Sequence, residues 1–172
     1  MLRSVNWFRT VLAMQFDDWI LALHLLSAIT AGAAITLFWV LVVAFRRTDL
    51  PEATVGISDV ARLGSIVIGV GILGTIVFGG WLAISLDAYQ LWDAWVIVAI
   101  VLWLVAEETG RRGGVAYQRA GERARELREA GETGPSAELS ALNRSSSALM
   151  LHAVSTVVFL LILADMIWKP GA

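Results

Sequence analysis

Cysteine is absent from this 172-residue chain. That excludes disulfides, thiol nucleophiles, cysteine-ligated metals and iron–sulfur clusters. It leaves the compartment open, because a cysteine-free chain tolerates either redox environment. Net charge is almost absent as well, −2 at neutral pH, so no basic field points to nucleic acid. No nucleophile–base pair and no phosphate loop is recognisable, and no catalytic residue is assigned. The run Gly69-Val70-Gly71-Ile72-Leu73-Gly74 formally matches a dinucleotide fingerprint. It lacks the preceding strand which that motif requires, and it lies in an apolar helix, so the match carries no weight.

What is present in excess is apolar sequence. Hydrophobic residues make up 58% of the chain, against roughly 45–50% in average soluble domains. They fall into four long runs, at about 19–45, 63–86, 91–109 and 148–168. Each is long enough, or nearly so, to cross about 30 Å of hydrocarbon as a helix at about 1.5 Å per residue. Backbone in lipid must satisfy its own hydrogen bonds, so the runs are expected to be helical. The first run is too long for the apolar part of a signal peptide and reads as a retained span. Several of the eight tryptophans stand at the ends of runs, where an aromatic belt would lie. Residues 1–18 are amphipathic and fit an interfacial segment. The expected fold is an all-α, integral membrane four-helix up-down bundle. Residues 19–172 form a single transmembrane domain, with a cytoplasmic helical arm at about 111–145 between spans three and four.

Arginine placement orients the chain. The connections after spans one and three carry Arg46, Arg47, Arg62, Arg111, Arg112, Arg119, Arg123, Arg125, Arg128 and Arg144, whereas the opposite side has only Arg3, Arg9 and Lys169. By the positive-inside rule both termini face outward across a cytoplasmic (inner) membrane. In the first connection, Thr48 or Asp49 suits a cap of an interfacial turn, and Ser58 or Asp59 a cap of the second span. The arm is expected to be helical from 115 to 130, with Glu122–Arg125, Arg125–Glu129 and Arg128–Glu132 at pairing distance. Pro135 suits the start of a new helix that runs through Leu139 and Leu142 into span four. Glu107 is spaced to pair with Arg111. Two readings of this region stay open. It is a solvated helical hairpin, or it docks a protein partner or anionic headgroups through Arg111 and Arg112.

Small residues in span two, Gly69, Gly71, Gly74 and Gly79 among them, suit close helix packing and also a glycine face for homo-oligomers. Ionisable residues within spans are the functional suspects. His24 lies near the outer end of span one and Asp165 near the outer end of span four. They could form a proton-carrying pair of a small transporter, a histidine–carboxylate metal site, or a structural pair. His152 lies toward the other face, roughly 20 Å from His24 along the normal by helix rise. That argues against one haem held by both, and leaves each as a separate candidate cofactor ligand. Asp17, Asp18, Asp87 and Asp93 add carboxylates to the outer rim, where they also suit helix N-termini.

Leu23-His24-Leu25-Leu26-Ser27-Ala28 with Gly32, the glycine-rich second span, Trp92 and Trp95, and the closing Asp165-Met166-Ile167-Trp168-Lys169-Pro170-Gly171 together resemble domain-of-unknown-function family 2269, bacterial four-helix membrane proteins. The pattern is loosely similar to copper-resistance D-type proteins and to protoporphyrinogen oxidases of the HemJ type. The resemblance implies a four-helix bundle with an intramembrane histidine near haem b or a divalent metal, and His24 matches that histidine position. The functional expectation is a non-catalytic membrane subunit or scaffold. A haem- or metal-binding protein using His24 and His152, and a proton-coupled transporter using His24 and Asp165, are kept as alternatives.

Overall fold

The computed structural model describes residues 16–85 and 92–169. The interfacial segment expected over 1–18 and the turn after span two therefore fall largely outside the described residues.

Pro51 starts a helix much earlier than the apolar run suggests. Its fixed φ and missing N–H suit a first helical position, and the backbone bond from Thr54 N to Leu50 O closes the first turn at 3.0 Å. The Thr48 hydroxyl accepts from Leu50 N just upstream. Five helices are described: α1 (Phe16–Arg46), α2 (Pro51–Ser85), α3 (Ala94–Glu129), α4 (Ala137–Asn143) and α5 (Ser146–Trp168). No strand occurs among the described residues. Ser58 and Asp59 thus lie inside α2 rather than capping it, because nothing in 51–62 interrupts a helix already nucleated at Pro51.

The third helix passes from apolar to charged sequence without a break, spanning Ala94–Glu129 as one rod of 36 residues. At about 1.5 Å per residue that is about 54 Å, well beyond the hydrocarbon thickness. It ends at Gly131, whose φ of +82° lets Gly131 N reach Arg128 O and Glu132 N reach Leu127 O, each at 3.0 Å. This is a Schellman stop. Ser136 then caps α4 by accepting from Leu139 N, and Ser145 caps α5 by accepting from Ala148 N. The helix expected to run unbroken from Pro135 into span four is therefore two helices, parted at Arg144 and Ser145.

Three stretches are long and apolar enough to cross a membrane: Phe16–Arg46, Pro51–Ser85 and Ala137–Trp168, with mean hydropathy of 2.2–2.3 in their best windows. Their outer faces show Ile29, Val40, Ile66, Val70, Leu160 and Ile167 to the surroundings. Such a surface would drive aggregation in water and is the expected one in lipid, where no hydrophobic force pulls these side chains inward. Tight burial is concentrated instead at the arginine-rich end, called here the basic end. Phe45, Thr54, Val55, Ala120, Ala124, Leu139 and Asn143 are all at or below 3% exposure, with Leu127 packed against the Val55–Ala124–Leu139 cluster.

The neighbours α1 and α2 run antiparallel. Added Cβ atoms at Gly64, Gly71, Gly74 and Gly79 would meet Phe38, Ala31, Ser27 and His24 in turn. Likewise α3 and α5 run antiparallel, Gly110 facing Ser155 and Gly113 facing Leu151. Between these pairs, α1 meets α5 through Gly32 against Phe159 and Trp39 against Thr156. At the basic end α2 meets α3 where Gly121 abuts Ser58.

Candidate functional site

Three polar neighbourhoods could carry chemistry. The first is the α1–α2 seam. Thr75 hydroxyl donates back to Gly71 O within its own helix, and the Thr75 carbonyl lies 3.0 Å from His24 Nδ1. A carbonyl only accepts, so Nδ1 carries the hydrogen and, in the neutral ring, Nε2 keeps its lone pair. The His24 ring lies on the bare surface of Gly79, where an added Cβ would come within 2.8 Å of Cε1. Gly71 is as close to the Ala31 backbone, at 2.8 Å, and Gly74 abuts Ser27. Gly69 differs: it has no neighbour within 4 Å and points away from α1. Gly71, Gly74 and Gly79 therefore pack within the chain and Gly69 does not, because residues two apart on a helix face different ways.

The second neighbourhood is the junction of α1, α3 and α5. His152 packs its ring on Trp39, centroids 4.7 Å apart, and edge-on to Phe38. Trp39 Nε1 donates to Thr156 Oγ1 at 3.1 Å, and Thr156 donates to His152 O. Ser155 Oγ crosses to Ala106 O at 2.9 Å. Among the described residues, His152 Nε2, Trp103 Nε1 and Asp165 Oδ2 are buried without a hydrogen-bond partner. Asp165 itself is only 9% exposed. His24 and Asp165 form no ion pair; His24 turns to Thr75 of α2 instead. Nor do the histidines share a level: Trp39, which His152 covers, is about 22 Å along α1 from His24 by helix rise. No cluster of three or more His, Asp or Glu side chains able to hold a metal occurs among the described residues.

The third neighbourhood is the basic end, which the sequence pattern cast as an arm. It folds back instead. Ser136 N donates to Asp49 O at 2.9 Å. Asn143 Nδ2 donates to Thr48 O and to Thr54 Oγ1, each at 3.1 Å. Asn143 and Thr54 carried no signal beyond being polar, so sequence reasoning passed over them, whereas Thr48, expected as a cap, accepts from Leu50 N and also lends its carbonyl to Asn143. Tyr117 stacks on Phe45, centroids 5.1 Å apart. Burial pushes its phenol pKa up, and the Arg46 charge pulls in the opposite direction. The expected intrahelical pairs of Arg125 and Arg128 are replaced by pairs between segments, Arg125 with Asp59 and Arg128 with Glu52, while Arg123 pairs with Glu126 in its own helix and with Glu138 of α4. The α2 extension supplies Asp59 and Glu52, which local spacing could not reveal. Arg111 and Arg112 both bind Glu108 rather than Glu107, since positions three and four before them share one helix face.

A sequence-family profile described as "Predicted integral membrane protein (DUF2269)" matches residues 18–170. No curated protein and no protein of solved structure matches.

Proposed function

We propose that this chain, which belongs to the DUF2269 family of predicted integral membrane proteins, acts as a non-catalytic membrane subunit that presents a folded platform at one membrane face. In this reading all four long helices cross as an up-down bundle, α3 through its apolar part near 94–109. The arginine-rich end faces the cytoplasm, and both termini face outward across the inner membrane. The observation that carries it is where the chain places its tight packing. Buried Asn143, Thr54, Leu139 and Ala124 lie at the basic end. A partner would meet the exposed outer face of residues 111–145, including Gln118 and Arg119. Photo-crosslinking from position 118 in native membranes tests this. One discrete protein adduct, weakened by Arg119→Glu, is expected. Adducts to lipid alone would sink the platform reading.

A second reading rests on His24. A histidine whose Nδ1–H is held by a backbone carbonyl is oriented as metal- and haem-ligating histidines are, with Nε2 available. Here Thr75 O supplies that hold. An absorption spectrum and metal analysis of gently purified protein decide it. A Soret band or stoichiometric divalent metal, lost in His24→Ala, would place haem b or metal binding first. A colourless, metal-free protein would remove this reading.

A further inference from the structure

Arginines at the basic end differ in what they already hold. Arg123, Arg125 and Arg128 each meet a carboxylate, and Arg111 and Arg112 share Glu108. Arg46, Arg47 and Arg144 form no ion pair among the described residues. Arg46 and Arg144 cross, each giving a single donor to the other's carbonyl and keeping the rest of its guanidinium fork. The Arg47 side chain is exposed and has no partner among the described residues. These guanidinium groups gather at one corner, where α1 ends and α5 begins, with no carboxylate bound to any of them.

On the membrane side of this corner, α1 carries a shallow groove of about 300 Å³ lined by Trp39, Val40 and Val43. Val40 and Val43 are exposed. Trp39 is held by its bond to Thr156 and by the His152 ring. Arg47 stands four residues after Val43 and seven after Val40, and Arg46 seven after Trp39. Groove and guanidinium groups therefore share one side of α1. Arg47 N bonds Ala44 O at 3.1 Å, which carries the helical path past Arg46. From Val43 to Arg47 the rise is about 6 Å, a step that a phospholipid makes between its acyl chains and its phosphate.

We infer that this corner binds one anionic phospholipid, with its phosphate among Arg46, Arg47 and Arg144 and one acyl chain along Trp39, Val40 and Val43. Guanidinium groups meet phosphate oxygens with paired N–H donors, and basic clusters beside a membrane helix recognise anionic headgroups. Net negative charge matters because only cations face the headgroup. A zwitterionic lipid brings a cation of its own, which they repel. The groove lies within the apolar run of α1, at a depth where the neighbour is lipid and not a soluble partner. The inference rests on the chain lying in a membrane and is independent of the platform reading, whose contact surface includes Gln118 and Arg119.

The test titrates the full chain in detergent with dioleoyl phosphatidylglycerol or dioleoyl phosphatidylcholine and counts bound lipid by native mass spectrometry. One phosphatidylglycerol should bind about tenfold or more tightly than phosphatidylcholine. Arg47→Gln should weaken phosphatidylglycerol about fivefold and leave phosphatidylcholine unchanged. Val43→Trp, which fills the groove and keeps every arginine, should weaken both. Arg62→Gln is the control. It removes the same charge from the basic end, but Arg62 stands two residues before Gly64, which packs on Phe38, and so lies on the other side of α2. It should bind like wild type. The Arg47 side chain makes no bond in the fold, so its variant decides the matter if Val43→Trp unfolds. Equal affinity for the two lipids overturns the inference. So does an equal loss in Arg47→Gln and Arg62→Gln, which would mark diffuse attraction without a site. A discrete protein adduct from a photo-crosslinker at position 43 in native membranes would also overturn it, giving the groove to a protein.

Discussion

Arg46 and Arg144 hold each other's backbones. Arg46 Nη1 donates to the Arg144 carbonyl at 3.0 Å, and Arg144 Nε donates to the Arg46 carbonyl at 3.3 Å. The Arg46 carbonyl is the last of α1 and has no partner within its helix. Arg144 is the C-cap of α4. Two residues that count toward membrane orientation as bare positive charge thus also fasten the end of one helix to the hinge between two others.

Each bond uses one side chain and the other residue's backbone, so either survives truncation of the opposite side chain. Arg46→Ala and Arg144→Ala should each destabilise by roughly 1 kcal/mol, as partly exposed hydrogen bonds to a charged donor do. Their effects should add, with a coupling below about 0.5 kcal/mol. Denaturant unfolding of the four members of the cycle in detergent measures this. A large coupling would show that the two bonds form only together.

Asn143 should be the most sensitive polar position in the chain. It is fully buried and its amide serves both Thr48 O and Thr54 Oγ1. Asn143→Ala removes both bonds, strands two buried acceptors and leaves a cavity, a combined cost of about 3 kcal/mol. Thr54→Val keeps the shape and removes only one acceptor, so it should cost about 1 kcal/mol. A smaller loss in Asn143→Ala than in Thr54→Val would contradict the arrangement.

The parts of this fold legible from sequence are those governed by local rules. Three of the four apolar runs fall in stretches long and apolar enough to cross a membrane, Gly131 and Pro135 announced a break, and of the four glycines expected to pack, Gly71, Gly74 and Gly79 lie against α1 while Gly69 does not. What stayed hidden depends on partners distant in the chain. Asp59 and Glu52 look like ordinary solvated residues until α2 is known to begin at Pro51, which places them beside Arg125 and Arg128. His24 looked like a partner for Asp165 because both lie near one membrane face. Depth is readable from run boundaries, but rotation about the helix axis is not when every face is apolar. The Thr75 carbonyl, a group common to all residues, leaves no mark in sequence at all.

The glycines of α2 separate packing from mere composition. Gly71→Ala would set a Cβ 2.8 Å from the Ala31 backbone nitrogen, and neither backbone can yield without parting the helices. A loss of about 1–3 kcal/mol is expected. Gly69→Ala meets open space and should gain up to about 1 kcal/mol from helix propensity. Gly79→Ala should displace the His24 ring and break its bond to Thr75. Thermal unfolding in detergent ranks the three, and equal effects at 69 and 71 would refute the α1–α2 register.

Tyr117 gives the basic end an alkaline limit. Its folded-state pKa is raised by burial above the ordinary value of 10.0, so the folded chain holds the phenol proton more tightly than the unfolded chain does. The stability associated with that proton is fully present below pH 10, where both states are protonated. It falls once the unfolded state begins to ionise, and it is lost as pH rises through the folded value. Stability measured from pH 8 to pH 11 should therefore decline more steeply for wild type than for Tyr117→Phe. The variant removes the only group that differs between the two curves, while keeping the ring that stacks on Phe45. Parallel curves would mean that the Tyr117 hydroxyl reaches water and that the packing around Phe45 is looser than described.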